Sequence, residues 1–474
     1  MIRAGISPAA RQQSKSAVKD RRRWWVLGCV GLGTFMSALD ASIVSALLPV
    51  IGRDLGASVA GIEWVVTVYL LVISGVLLGF GRLGDLRGHK DVYVTGFAGF
   101  LVTSGLCGLA PTAGYLIFFR VMQALAAAML YANAPAILTA SFPASERGRA
   151  LGLQSTMTYL GLSAGAPLGG VLAVHFGWRS IFFVNVPVAA LGLYLSRRVI
   201  VRDRAEGDVP AFDHTGAALF FVGIFSLLLA LNRGYIWGWG SPRTAGFVVG
   251  AVLALAGFLA VERRHTHPML DLSLFRRPAF AGSVFSSLMS YVAHNGILFL
   301  LPFYLVAGRG LDPERAGLVL APQPLAMMVI SPIAGTLSDR FGSRRLTTGG
   351  LALLVTGLLL LARSGPATPL SQVAATLALC GLGLGCFIAP NNSRLLGAAP
   401  RQRQGIASGV MAAARNVGMV VGVGIAGAVY TTVLAHNGPR EVAQGVSCAL
   451  RVIAVLTLVA AVTSWLEGES VVQA

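Results

Sequence analysis

Asp40 is the one carboxylate lying well inside a long apolar run of this sequence, and Arg120 and Arg415 are the two arginines placed as deeply. An ionised side chain at the centre of a bilayer costs about 2.5 to 3.5 kcal/mol on an insertion scale, so it must be paired, hydrated or neutralised. An acid that alternates between those conditions is a proton carrier. Asp40 precedes Pro49 by about nine residues, or roughly 14 Å of helix. Arg120 follows Gly114 by about six residues, which puts it about 10 Å deep from the same side, where it could share a level with Asp40. A pair that forms and breaks would couple protonation to a change of shape. The competing reading is a permanent structural ion pair.

These residues need long apolar elements to hold them. The chain has 474 residues, is 55% hydrophobic and only 12% charged, and has a mean hydropathy of +0.72. A soluble domain carries roughly 25% charged residues, so lipid must be the solvent for most of this surface. About fourteen runs of roughly 20 apolar residues fit between Trp25 and Leu466, each long enough to cross a hydrocarbon core. Numbered in chain order, helix 1 covers 25–49, helix 4 114–138, helix 5 149–173, helix 9 279–306, helix 10 314–335 and helix 13 405–431.

The formal charge of +18 raises the question of nucleic acid. Most of the Lys and Arg fall before helix 1 and in alternate loops, which is the asymmetry of the positive-inside rule. That pattern puts both termini in the cytoplasm and leaves no case for nucleic acid. The five cysteines sit in or beside apolar runs without C-x-x-C spacing and read as small hydrophobes. His265 and His267, next to Glu262, Arg263 and Arg264, read as a solvated loop rather than a metal site.

One loop is written twice. Gly81, Leu83, Asp85, Gly88 and Lys90, with Arg87 among them, recur as Gly335, Leu337, Asp339, Gly342 and Arg344, where Phe341 takes the place of Arg87, each set directly after an apolar run. The glycines suit close packing and a sharp turn. The aspartate can cap the next helix or, in the first copy, pair with Arg82, Arg87 or Arg147, and such contacts would hold one conformation closed. Helix 5 carries Gly148, Gly152, Gly161, Gly165 and Gly170, and helix 13 carries Gly405, Gly409, Gly418, Gly422 and Gly427 at matching intervals. Small residues let helices approach closely in lipid, so the two ladders suggest a sliding interface between halves, with Pro167 as a hinge.

The organisation that follows is a basic cytoplasmic tail over 1–24, a six-helix half over 25–200, and a linker with two inserted helices over 201–278. A second six-helix half covers 279–466, and a short cytoplasmic tail covers 467–474.

The duplicated loop resembles the signature loop of the major facilitator superfamily, and further segments resemble its fourteen-helix drug/proton antiporter branch. These are Leu39-Asp40-Ala-Ser-Ile43-Val44 through Pro49, Leu116-Ile117-Phe-Phe-Arg120-Val-Met-Gln123, Phe142-Pro143 through Gly148, and Gly177-Trp178-Arg179 through Asn185-Val-Pro187. The helix 5 signature of that branch reads G-P-x-x-G-G, whereas here it is Gly165-Ala166-Pro167-Leu168-Gly169-Gly170, with proline displaced by one position. The resemblance implies an all-α integral membrane protein of the plasma membrane that exports lipophilic drugs or antibiotics as a monomer, using the proton gradient and no cofactor or metal. It links Arg120 and Gln123 to proton exchange. A lipid or small-metabolite carrier on the same scaffold is the alternative. A membrane enzyme would need a nucleophile, a metal cluster or paired acids near the spans, and the sequence offers none.

In the second half, His294 and Asn295 fall at the repeat equivalent of Asp40, while the equivalent of Arg120 is near Ala375. Arg415 and Asn416 lie near mid-membrane in helix 13. Together with Tyr69, Met157, Tyr159, Phe299, Phe303 and Met327 these are the expected lining of a permissive cavity. One deep acid against two deep arginines favours neutral or weakly charged substrates over dications.

Overall fold

With no water to satisfy backbone groups in lipid, apolar runs of this length must close their hydrogen bonds within themselves, and every described element is helical. The computed structural model describes residues 8–202, 212–238, 240–264, 270–311, 313–400, 403–437 and 442–466. The long helices are α1 (Pro8–Asp54), α2 (Trp64–Arg87), α3 (His89–Gly108), α4 (Ala113–Ser141), α5 (Arg147–Phe176), α6 (Asn185–Val199) and α7 (His214–Trp237). They continue with α8 (Pro242–Arg264), α9 (Pro278–Pro302), α10 (Pro322–Phe341), α11 (Ser343–Ala362), α12 (Leu370–Gly397), α13 (Gln404–Asn437) and α14 (Val442–Leu466).

Among the described residues, twelve spans are long and apolar enough to cross a membrane, and thirteen if the bent α5 counts as one. The expected fourteen therefore stands at twelve or thirteen on length and composition. The shortfall is α3, which has the length but opens on His89, Lys90 and Asp91 and is rich in Gly, Ser and Thr.

Other boundaries moved for local reasons. Helix 1 begins at Pro8, well inside the segment expected to be a tail. The sixth span, expected over 180–197, is entered through a separate turn, Ser180–Phe183, before α6. Helix 9 ends at Pro302 and passes into a π-turn over Phe303–Gly308. Helix 10 is split into Pro313–Leu320 and α10 at Pro322, where a proline cannot donate the next backbone bond.

The two loop copies have the same backbone. Gly88 joins α2 to α3 at φ +95° and Gly342 joins α10 to α11 at φ +83°, a region that side chains rarely enter. Between the repeats, α10 packs on α5 and α13 packs on α2. Helix α7 lies against α2 and α13, and α8 lies against α7.

Candidate functional site

Asp40 and Arg120 meet. Arg120 Nη1 donates to Asp40 Oδ2 at 2.6 Å, and both side chains are about 1% exposed. The remaining lone pairs of the carboxylate are met by Asn185 Nδ2 at 2.9 Å and Gln123 Nε2 at 3.3 Å, both to Oδ1. Gln123 also accepts from Arg120 Nη1 at 2.7 Å and donates to Ser104 Oγ at 2.8 Å. Arg120 Nε donates to the carbonyl of Val65 at 3.2 Å, and the guanidinium lies 3.9 Å from the Tyr69 ring centroid. Five helices, α1, α2, α3, α4 and α6, thus converge on one buried ion pair. Removing either partner would leave the other charge stranded, which costs about 3 to 5 kcal/mol in a buried pair.

Sequence reasoning brought Asp40, Arg120 and Gln123 together but gave Asn185, Ser104 and Val65 no part. Asn185 was visible as a lone amide in an apolar stretch. The carbonyl of Val65 carries no signal in the residue type at all.

Tyr69 joins this centre to a cavity between the repeats. One face of its ring takes the Arg120 guanidinium, and the side chain also lines a cavity of about 210 Å³. Tyr131 and Tyr159 reach that cavity from α4 and α5, and Tyr291, His294 and Arg415 from α9 and α13. Asn416 lines it too, and its Nδ2 donates across the repeats to Ser74 Oγ at 3.1 Å. Among the expected lining residues, Tyr69, Tyr159, His294, Met327, Arg415 and Asn416 are there.

Asn295 and Phe299 are not. Each residue turns a helix by about 100°, so positions 294, 295 and 299 cannot share a face. Asn295 Nδ2 donates back to Tyr291 O at 3.3 Å, and Phe299 packs at a tilt against Phe303 with centroids 5.2 Å apart. Met157 packs against Gly31. His294 itself contacts Gln323 Nε2 through Nδ1 at 3.3 Å, and the buried Gln323 Oε1 has no protein partner.

The duplicated loops do something the expectations missed. Asp85 accepts from the backbone N–H groups of Gly405 at 2.7 Å and Ile406 at 2.9 Å, the first turn of α13. Asp339 accepts from those of Gly148 at 2.8 Å and Arg149 at 2.9 Å, the first turn of α5. Each aspartate therefore caps a helix of the opposite repeat, where free N–H groups and the helix dipole favour an anion. Neither the following helix nor Arg82, Arg87 or Arg147 is the main partner. Gly81 and Gly335 allow this: a Cβ on either would collide with the backbone carbonyl of Gly405 or Gly148.

Two basic members of the motif act within their own repeats. Lys90 Nζ donates to the carbonyls of Arg197 and Ile200 at 2.8 and 2.7 Å, at the end of α6, and Arg344 bonds the carbonyl of Trp465 in α14. Arg87 is exposed beside a second space near Phe212 and His214.

The glycine ladders divide. Gly148 and Gly152 touch α10, and Gly405 and Gly409 touch α2, across the repeats. Gly161, Gly165 and Gly169 instead pack on α1, while Gly418 and Gly422 pack on α9, within their own repeats, and a Cβ at Gly170 would meet open space. The predicted sliding interface between halves is thus confined to the basic-loop end. The two segments of α5 on either side of the displaced Pro167 meet at 44°. His265 and His267 lie outside the described residues, and among the described residues no cluster of His, Cys, Asp and Glu suits a metal.

The sequence profile of the Major Facilitator Superfamily matches residues 30–423 and 279–470. The riboflavin transporter RibZ of Clostridioides difficile is 33% identical over 417 residues, covering 88% of this chain and 90% of that protein. The tetracenomycin C resistance and export protein of Streptomyces glaucescens is 34% identical over 424 residues, 89% and 79% of the two chains. In structure, the human organic anion transporter MFSD10 (TETRAN) superposes with a TM-score of 0.66 at 16% identity, covering 93% of this chain and 99% of that one, a likeness of fold alone. A duplicated capping loop, a cavity between two repeats and a profile that spans most of the sequence lead to one conclusion: the chain is a multi-pass membrane transporter of the major facilitator superfamily.

Proposed function

We propose that this transporter is a proton-driven exporter of lipophilic drugs or antibiotics, a drug/proton antiporter of the fourteen-helix branch working by alternating access. In this reading α3 crosses the membrane with the other thirteen. The six-helix halves are 25–200 and 279–466, and α7 and α8 are inserted between them within 201–278. Both termini and the basic loops face the cytoplasm of the cell that carries it. The protein acts as a monomer in the bilayer and needs no cofactor.

The observation that carries the reading is the sealed Asp40–Arg120 pair behind Tyr69 at the cavity wall. Protonation of Asp40 removes one charge, leaves Arg120 with the neutral Gln123 and Val65 acceptors, and weakens the tie between α1 and α4. The end that carries the basic loops, cytoplasmic in this reading, is closed by the Asp85 and Asp339 caps, so Asp40 would receive its proton from the outer side. Breaking the caps tips the halves inward, where substrate entry and proton release compete. The export named for the tetracenomycin C relative fits this cycle.

The test is acidity inside inverted, respiring membrane vesicles as a panel of lipophilic antibiotics is added. Wild type should release protons with substrate and Asp40→Asn should not. Equal responses from both would reject Asp40 as the carrier. The name of the riboflavin relative favours a metabolite carrier as the second reading, and the direction of flux separates the two.

A further inference from the structure

We infer that the cavity selects planar aromatic anions, compounds bearing an ionised phenol or carboxylate, and that Arg415 is the residue that reads their charge. This deepens the exporter reading by naming its substrate class. Among the described residues lining the cavity there is no Asp or Glu, and Arg415 is the one side chain with a fixed charge.

The two deep arginines are held differently. Arg120 is neutralised by Asp40 at 2.6 Å and is shut away from the cavity behind Tyr69. Arg415 has no carboxylate partner among the described residues. Its Nε reaches only Asn416 Oδ1, at a long 3.4 Å, and its guanidinium carbon sits 5.0 Å from the Tyr131 ring centroid. An aromatic face holds a cation weakly, so Tyr131 serves as a replaceable partner that an incoming anion can supplement or displace. Tyr159 and Tyr291 supply further ring faces from opposite repeats. An anionic ring system between them would meet a guanidinium, whose planar fork matches carboxylate and phenolate oxygens. A cation would meet like charge with no counter-ion. The cavity's 210 Å³ is below the roughly 300 Å³ of a drug-sized site, so the repeats must move apart for such a ligand to bind.

The experiment is equilibrium binding to the full chain in nanodiscs, with empty nanodiscs subtracted, at an alkaline pH. The probes are alizarin, a planar hydroxyanthraquinone ionised at a phenol, and its dimethyl ether, which cannot ionise. Wild type should prefer the anion by about 10- to 100-fold, the size of one charge-assisted hydrogen bond. Arg415→Gln should lose that preference while still binding the ether, and Arg415→Lys should keep part of it. Equal binding of both probes by wild type, or an undiminished preference in Arg415→Gln, would overturn the assignment. If Arg415→Gln binds neither probe, Arg415→Lys decides, since a retained preference supports the assignment and equal binding overturns it. Proton release on adding ethidium to wild-type vesicles, without any anion preference, would overturn this inference and leave the exporter reading intact. Anion preference with no proton release by any compound would uphold this inference and overturn that reading.

Discussion

The two repeats share a scaffold and differ in where they keep their charge. The offset that carries Gly81 to Gly335 also carries Asp40 to His294 and Tyr69 to Gln323. In the first repeat these places, with Arg120, form a fully buried ion pair capped by an aromatic ring. In the second, an imidazole faces an amide at 3.3 Å and the position near Ala375 holds no base. Helices α5 and α13 reverse the bias, because the ladder spacing that aligns Gly161 with Gly418 sets Thr158 opposite Arg415. The first repeat thus holds a neutralised pair that one proton can unbalance, whereas the second holds a lone cation facing the cavity. The aspartate caps and the close glycines across the repeats are symmetric elements. Those that the proposed cycle assigns to cargo and proton are not.

The largest expected contrast is in stability. Arg120→Ala strands the buried Asp40 without its counter-ion and should cost about 3 to 5 kcal/mol, whereas His294→Ala at the equivalent place should cost about 1 kcal/mol, a single neutral hydrogen bond. Denaturant unfolding in detergent would measure both. Adding Asp40→Asn to Arg120→Ala should recover most of the loss, and failure to do so would mean the pair is not what holds α1 to α4.

Glycine positions sharpen the contrast between the ends of the molecule. Gly81→Ala and Gly335→Ala each set a methyl against a backbone carbonyl and should cost about 1 to 3 kcal/mol of the closed state, while Gly170→Ala faces open space and should cost almost nothing. A cysteine placed in the first turn of α13 would report opening through its labelling rate.

The caps test the symmetry itself. Asp85→Asn and Asp339→Asn each remove a charge from a helix N-terminus, at about 1 kcal/mol, and should increase labelling to a similar extent, with the double variant close to the sum. Markedly unequal effects would show that the two closures do not open together.

The smallest effect is at the opposite end. Asp54 accepts from Trp178 Nε1 at 2.8 Å and Arg179 Nη1 at 2.9 Å, which holds its carboxyl below the ordinary 3.8. A lowered folded value means the contact contributes fully above pH 3.8 and is lost only as pH falls through the lower value. Thermal stability of wild type and Asp54→Asn should therefore differ by a constant small amount at neutral and mildly acid pH and converge only below that range.

Much of the site could be read in the amino-acid order. An acid in an apolar run is too costly to be incidental, so Asp40 stood out, and helical rise set Arg120 at a matching depth. Repetition marked Gly81, Asp85 and Gly88 because two copies must satisfy the same backbone, and both glycines at the turns do adopt positive φ. Tertiary structure alone decided what these residues touch. The span count fell short of fourteen because α3 offsets its length with polar residues, of which packing shelters His89, Thr103 and Ser104. Asp85 reaches past nearby arginines to a helix more than three hundred residues away because a helix N-terminus presents two aligned N–H groups, and sequence distance carries no information about which terminus arrives there. The same holds for Asn185 and Tyr131, ordinary residues until five helices converge on one and a guanidinium settles over the other. Composition and spacing determine which groups are costly in lipid, and the fold determines which of them are brought within a few ångströms to offset that cost.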